Sequence, residues 1–100
     1  MTETITSRNG ASIRLTDERW AHISEEHAEL AGRKLEVLET VSDAERVLAG
    51  GAGELLALKQ QPDGKTLVTV YREDVGDGFI ITAFLTRREA SLNRRKQIWP

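Results

Sequence analysis

Cysteine is absent from this chain of 100 residues. That excludes zinc ribbons, iron–sulfur clusters and thiol chemistry, and it leaves no disulfide to brace the fold. The absence fits a reducing compartment, so a cytoplasmic location is expected. Aromatics are scarce, at 5%. Long hydrophobic runs are missing too. Those present, such as Phe79-Ile80-Ile81, fall far short of the ~20 residues that cross a bilayer. No membrane association is expected. Met1-Thr2-Glu3-Thr4-Ile5-Thr6 has no basic stretch leading into an apolar one, so no signal peptide is expected. Repeats, linkers and low-complexity stretches are lacking as well.

What is present reads as a folded domain. Hydrophobic residues make up 39% and charged residues 30%, and the two are well mixed. This length is near the commonest domain size, and it buries roughly two-thirds of the surface of the unfolded chain. One domain over residues 1–100 is expected.

The formal net charge of −2 argues against a protein that coats nucleic acid non-specifically. Its distribution is uneven. Residues 1–86 carry nine Lys/Arg against fifteen Asp/Glu, whereas residues 87–100 carry Arg87, Arg88, Arg94, Arg95 and Lys96 against Glu89 alone. An acidic body with a basic C-terminal segment offers a phosphate-binding edge, or a solvated tail that pairs with acidic helices.

The chain falls into four stretches. Residues 1–15 read as a hairpin, because Asn9-Gly10 supplies the positive φ angles of a tight turn. Residues 16–50 read as helices. Thr16-Asp17-Glu18 is a helix start, and Trp20, Ile23, His27 and Leu30 recur at helical spacing. Leu35, Leu38 and Val41 form a second amphipathic helix, and Ser42-Asp43-Ala44-Glu45 fits a capping box for a further turn ending at Gly50-Gly51. Residues 54–87 read as an antiparallel meander. Its strands are Leu55–Leu58, Leu67–Tyr71 and Phe79–Leu85, with turns at Gln61–Lys65 and Asp74–Gly78. In the last strand, Phe79, Ile81, Ala83 and Leu85 should face the helices, leaving Ile80, Thr82, Phe84 and Thr86 on the other side. Residues 88–100 form a basic segment, with Gln97-Ile98-Trp99 as an edge strand.

Few residues can carry chemistry. His27 reads as a general acid or base on a sheet-facing helix surface, or as a buried imidazole satisfied by a carbonyl. His22 falls on the opposite face, so the two histidines are a poor metal pair. No metal and no cofactor is expected. Gly50-Gly51-Ala52-Gly53 lacks the lysine of a P-loop and reads as a flexible connection. Ser42 and Ser91 have no His/acid partner for a hydrolase triad. Tyr71 shares a strand face with Leu67 and Thr69, opposite Arg72; it is a core phenol or a proton relay. Arg46 lies on the surface or reaches over the sheet toward a phosphate.

Three stretches together carry a resemblance. They are Leu15-Thr16-Asp17-Glu18-Arg19-Trp20-Ala21-His22-Ile23 through Glu26-His27-Ala28-Glu29, the segment Gly53-Glu54-Leu55-Leu56, and Val68-Thr69-Val70-Tyr71 followed by Asp77 to Thr86. Over about residues 13–99 the chain resembles the barnase/EndoU/colicin/RelE-like (BECR) superfamily, including small phage-associated bacterial proteins. The resemblance implies an α+β fold, with N-terminal helices packed on one face of a four-stranded antiparallel sheet. It also implies metal-independent RNA cleavage by 2′-hydroxyl attack, with an antitoxin as the kind of protein partner such nucleases have. His27 would be the acid/base, Thr82 and Thr86 the phosphate donors, Tyr71 a stacking or relay group, and Arg46 or Arg87 the cation. Arg87, Arg94, Arg95 and Lys96 would hold the RNA backbone. The acidic body motivates a second expectation, a non-catalytic module that binds RNA or a protein.

Overall fold

The computed structural model describes residues 1–75 and 77–100. The chain opens with a hairpin of β1 (Thr2–Thr6) and β2 (Ser12–Thr16). Gly10 at φ +85° makes its turn, where only glycine is free of strain. The Thr16 hydroxyl accepts the Arg19 N–H at 3.1 Å and caps α1 (Asp17–Glu26). A single 3-10 turn follows over Ala28–Leu30, and then α2 (Lys34–Ser42). The rest is mostly strand: β3 (Arg46–Ala49), β4 (Leu55–Gln60), β5 (Thr66–Asp74) and β6 (Asp77–Thr86). A short α3 (Glu89–Asn93) and β7 (Gln97–Trp99) complete the fold.

All seven strands join one sheet in the order β1-β2-β6-β5-β4-β3-β7. The expected meander is present as β4, β5 and β6, each antiparallel to the next. Of the turn expected over Asp74–Gly78, Asp74 belongs to β5 and Asp77 and Gly78 to β6, and Gly76 lies outside the described residues. The four-stranded antiparallel sheet is corrected. The hairpin extends the sheet instead of standing apart, because β2 pairs with β6 in parallel, Ile13 opposite Gly78 and Arg14 opposite Phe79. At the other side β3 and β7 add two more strands.

The further helical turn expected after Ser42 is also corrected. Ser42 turns its hydroxyl back to the Glu39 carbonyl at 3.3 Å and caps nothing ahead of it. The next residues, Val47 and Leu48, are fully buried in β3. A β-branched residue and an apolar one with a strand on either side gain more by pairing than by continuing a helix.

A third correction concerns β6. Val70 lies opposite Thr82, but the next residue, Tyr71, lies opposite Ile80. Ile81 is the extra residue of a bulge, and the alternation flips there. Ile80, Ala83 and Leu85 therefore all pack against the helices. Thr82, Phe84 and Thr86 keep the opposite face.

The main core lies between the sheet and α1–α2. It is built from Ile13, Leu15, Ile23, Leu30, Val37, Val41, Leu67 and Tyr71, among others. A smaller cluster of Leu48, Leu56, Leu58 and Val68 lies on the other face, sealed by Leu92 of α3. The chain reaches β7 from β6 by crossing this second face. The Ala49 N–H donates to the Lys96 carbonyl at 2.8 Å where the crossing ends.

The sheet is strongly curled. Laid flat, its seven strands would set β1 and β7 about 29 Å apart. Yet Ile5 of β1 and Trp99 of β7 pack against the same core. Arg8, in the first turn, stacks its guanidinium 4.4 Å from the Trp99 ring centroid. Its Nε donates to the Ala44 carbonyl at 3.1 Å. The two edges of the sheet thus come together around α2.

Candidate nucleic-acid interface

Register places the residues of the second sheet face in transverse rows. Arg46 lies opposite Leu58, Leu58 opposite Val68, and Val68 opposite Phe84. Leu48, Leu56, Val70 and Thr82 form the next row, and Gln60, Thr66 and Thr86 another. Residues opposite one another across strands share a face. Thr82, Thr86 and Arg46 therefore lie on one side of the sheet.

His27 stands at the margin of this face. It is the residue after α1, its N–H donating to the Ile23 carbonyl at 2.8 Å. Its ring centroid is 6.3 Å from that of Phe84, tilted by 37°. Its Nδ1 lies 3.4 Å from Glu29 Oε1, and its side chain is 30% exposed. This is a half-open imidazole beside an acid, at the half of β6 that β2 does not cover.

The other acid–base candidates lie elsewhere. Tyr71 points to the helix side and is fully buried, its hydroxyl without a hydrogen-bond partner among the described residues. Burial, together with the nearby Glu73 charge, pushes its pKa up. Arg46 is three strands from β6, about 14 Å across the sheet. It donates to Gln97 Oε1 at 3.1 Å and to Asn93 Oδ1 at 3.0 Å. The Thr86 hydroxyl accepts the Arg88 N–H at 3.0 Å. His27, Thr82 and Thr86 share one region; Tyr71 and Arg46 do not join them. Among the described residues no group of three or more His, Asp or Glu could hold a metal ion.

The basic segment makes a more coherent arrangement. Arg87, Arg88, Arg94, Arg95 and Lys96 are all exposed on the crossing. Arg46 and Arg72 lie on the sheet face beneath it, since Arg72 alternates with the inward Tyr71. Among the described residues none of these seven has a carboxylate partner. Every other Lys or Arg except Arg19 and Lys65 has one: Arg8 with Asp43, Arg14 with Asp77, Arg33 with Glu36, Lys34 with Glu3 and Asp17, and Lys59 with Asp43. Several of the seven are instead held by neutral oxygens. Arg87 reaches the Asp63 carbonyl at 3.4 Å, Arg95 the Ala49 carbonyl at 3.5 Å, and Arg72 the Ala52 carbonyl. A carbonyl oxygen holds a guanidinium without cancelling its charge.

Strand parity alone sets Arg72 opposite Tyr71 and so on this face, but residue type gives it no role there until the crossing is in place. A hollow of about 540 Å³ between α2 and the β4–β5 turn is lined by Arg33, Glu36, Glu39, Thr40 and Lys59, among others. It contains none of the candidate residues, and both its cations are paired.

Comparison with protein-family models, with curated proteins and with solved structures finds no match to this chain. No helix is long and apolar enough to cross a membrane among the described residues.

Proposed function

We infer that this protein is a non-catalytic module that binds the phosphate backbone of RNA across the second sheet face. One observation carries the reading. Among the described residues seven cations on the crossing and the sheet beneath it make no ion pair, while most other cations are paired. Unpaired arginines held in place by carbonyls are preorganised phosphate donors, because each guanidinium keeps several N–H groups to spend. Phosphate contacts of this kind position a strand without reading its sequence. Cleavage is the less supported reading. 2′-Hydroxyl attack needs a base, an acid and a cation around one phosphate. Here the buried phenol and Arg46 stand apart from His27.

Fluorescence anisotropy of a labelled single-stranded RNA tests the proposal. Affinity should fall as salt rises from about 50 to 200 mM, with a log–log slope of about −0.7 per phosphate contacted. The triple variant Arg88→Ala, Arg94→Ala, Lys96→Ala removes charges whose side chains make no hydrogen bond or ion pair among the described residues. It should flatten that slope by about 2. Absence of binding at the lowest salt, or a slope unchanged in the triple variant, overturns the reading. RNA cleavage by the native protein that His27→Ala abolishes would restore the nuclease.

A further inference from the structure

The β3–β4 turn, the glycine-rich stretch that reads from sequence as a mere connection, has an unusual occupant. The Gly50 N–H donates to the Glu54 carbonyl at 2.7 Å and closes the turn. The exposed tip is Gly51-Ala52-Gly53, with Gly53 at φ +90°. The Glu54 side chain folds back over this turn. A Cβ on Gly50 would sit 1.9 Å from Glu54 Oε1, so glycine is what makes room for the carboxylate. Oε1 accepts the Ala52 N–H at 2.8 Å.

Two arginines flank the same turn from different parts of the chain. Arg72 of β5 donates through Nη2 to the Ala52 carbonyl. Arg95 of the crossing donates through Nη1 to the Ala49 carbonyl at 3.5 Å. The Ala52 N–H chiefly, with the Glu54 N–H and the charges of Arg72 and Arg95, holds the Glu54 carboxyl below the usual carboxylate range. One backbone N–H and two guanidinium groups around an oxyanion is the donor set that binds phosphate. Here the Glu54 carboxylate takes the N–H, while the two guanidinium groups stand beside it on the Ala52 and Ala49 carbonyls, beyond ion-pair distance. Two cations face one anion, so the site keeps a net positive charge, and its occupant sits on a flexible side chain that swings out without moving the backbone.

We propose that the β3–β4 turn with Arg72 and Arg95 is a phosphate-binding site that Glu54 occupies in place of its ligand. An incoming phosphate displaces the carboxylate, and Glu54 sets how strongly a phosphate must compete. The inference rests on the RNA-binding reading only for the source of that phosphate. The ligand chemistry, a phosphate oxyanion, is shared by a nucleic-acid strand and by free phosphate.

Amide NMR with inorganic phosphate and anisotropy with labelled RNA test both sources. Glu54→Ala empties the site; Glu54→Gln keeps an acceptor for the Ala52 N–H but removes the charge. Glu25→Gln on α1 is the control for net charge. In Glu54→Ala, inorganic phosphate should shift the Ala52 amide at about tenfold lower concentration than in the native protein. RNA affinity should rise in step, with a salt slope steeper by about 0.7, one further phosphate. Glu54→Gln should move the same way by less, and it serves if amide dispersion shows Glu54→Ala unfolded. An Ala52 amide indifferent to phosphate in both variants overturns the proposal, as does an RNA gain no larger than that of Glu25→Gln. The two readings fail separately. RNA ignored by every variant while phosphate still shifts Ala52 removes the RNA reading and keeps the site. Native RNA binding with a silent Ala52 removes the site and keeps the RNA reading.

Discussion

Tyr71 is the chain's one tyrosine, and its fully buried hydroxyl has no partner among the described residues. An unmet buried hydroxyl costs roughly 1–3 kcal/mol. Tyr71→Phe should therefore leave stability at pH 7 unchanged or raise it by about 1 kcal/mol, as measured by urea unfolding. The alkaline limb gives a second readout. The folded pKa lies above the unfolded value of about 10. Stability from this group is complete below pH ~10 and is lost above it, because the unfolded phenol ionises first. That alkaline loss should be smaller in Tyr71→Phe. Destabilisation by the variant at pH 7 would mean the hydroxyl is satisfied. Strand period alone places Tyr71 inward, since it shares parity with Leu67 and with Thr69, whose hydroxyl donates to the Val37 carbonyl at 3.0 Å. Helical spacing likewise brings His27 to the sheet, although the helix ends one residue before it. What Glu54 does is not legible from type and spacing, because it depends on a side chain doubling back across a glycine.

At the scale of elements, local patterns are read well and pairings are not. Asn9-Gly10 announces the hairpin, and β5 and β6 fall where β-branched and aromatic residues are concentrated, while β4 is marked by a run of leucines. The bulge at Ile81 is invisible in a run where every residue but Thr82 and Ala83 is large and apolar, so either parity looks acceptable. The parallel seam between β2 and β6 has no local signal at all. Its one mark is Gly78, where an added Cβ would lie 2.4 Å from Ile13 Cδ1 and 2.7 Å from the Arg72 carbonyl. Gly78→Ala should cost about 2 kcal/mol through this overpacking. The loss should appear in hydrogen exchange as faster opening of β1 and β2 ahead of β4 and β5. Unchanged exchange across β2 would contradict the close approach.

At the scale of the whole molecule, curling brings the two sheet edges within reach of one side chain. Arg8 joins them through Trp99, the Ala44 carbonyl and, at 3.8 Å, Asp43. Arg8→Ala should lower stability by about 1 kcal/mol. Trp99 fluorescence should red-shift as its ring meets water, and an unshifted spectrum would place the clasp elsewhere. The charge of the molecule follows the same geometry. A balance that sums to −2 separates in space, because the basic crossing lies on one face and α1 and α2 on the other. The parallel seam has a consequence in time as well. The first hairpin closes locally, on the order of 1–10 μs. Its place in the sheet does not exist until β6 is laid against β5, and most of the chain lies between Ile13 and Gly78. Contacts so distant in sequence are slow to form. The hairpin is therefore made first and seated last, and until then the open edge of β6 is the part of the folding chain most exposed to pairing with another molecule.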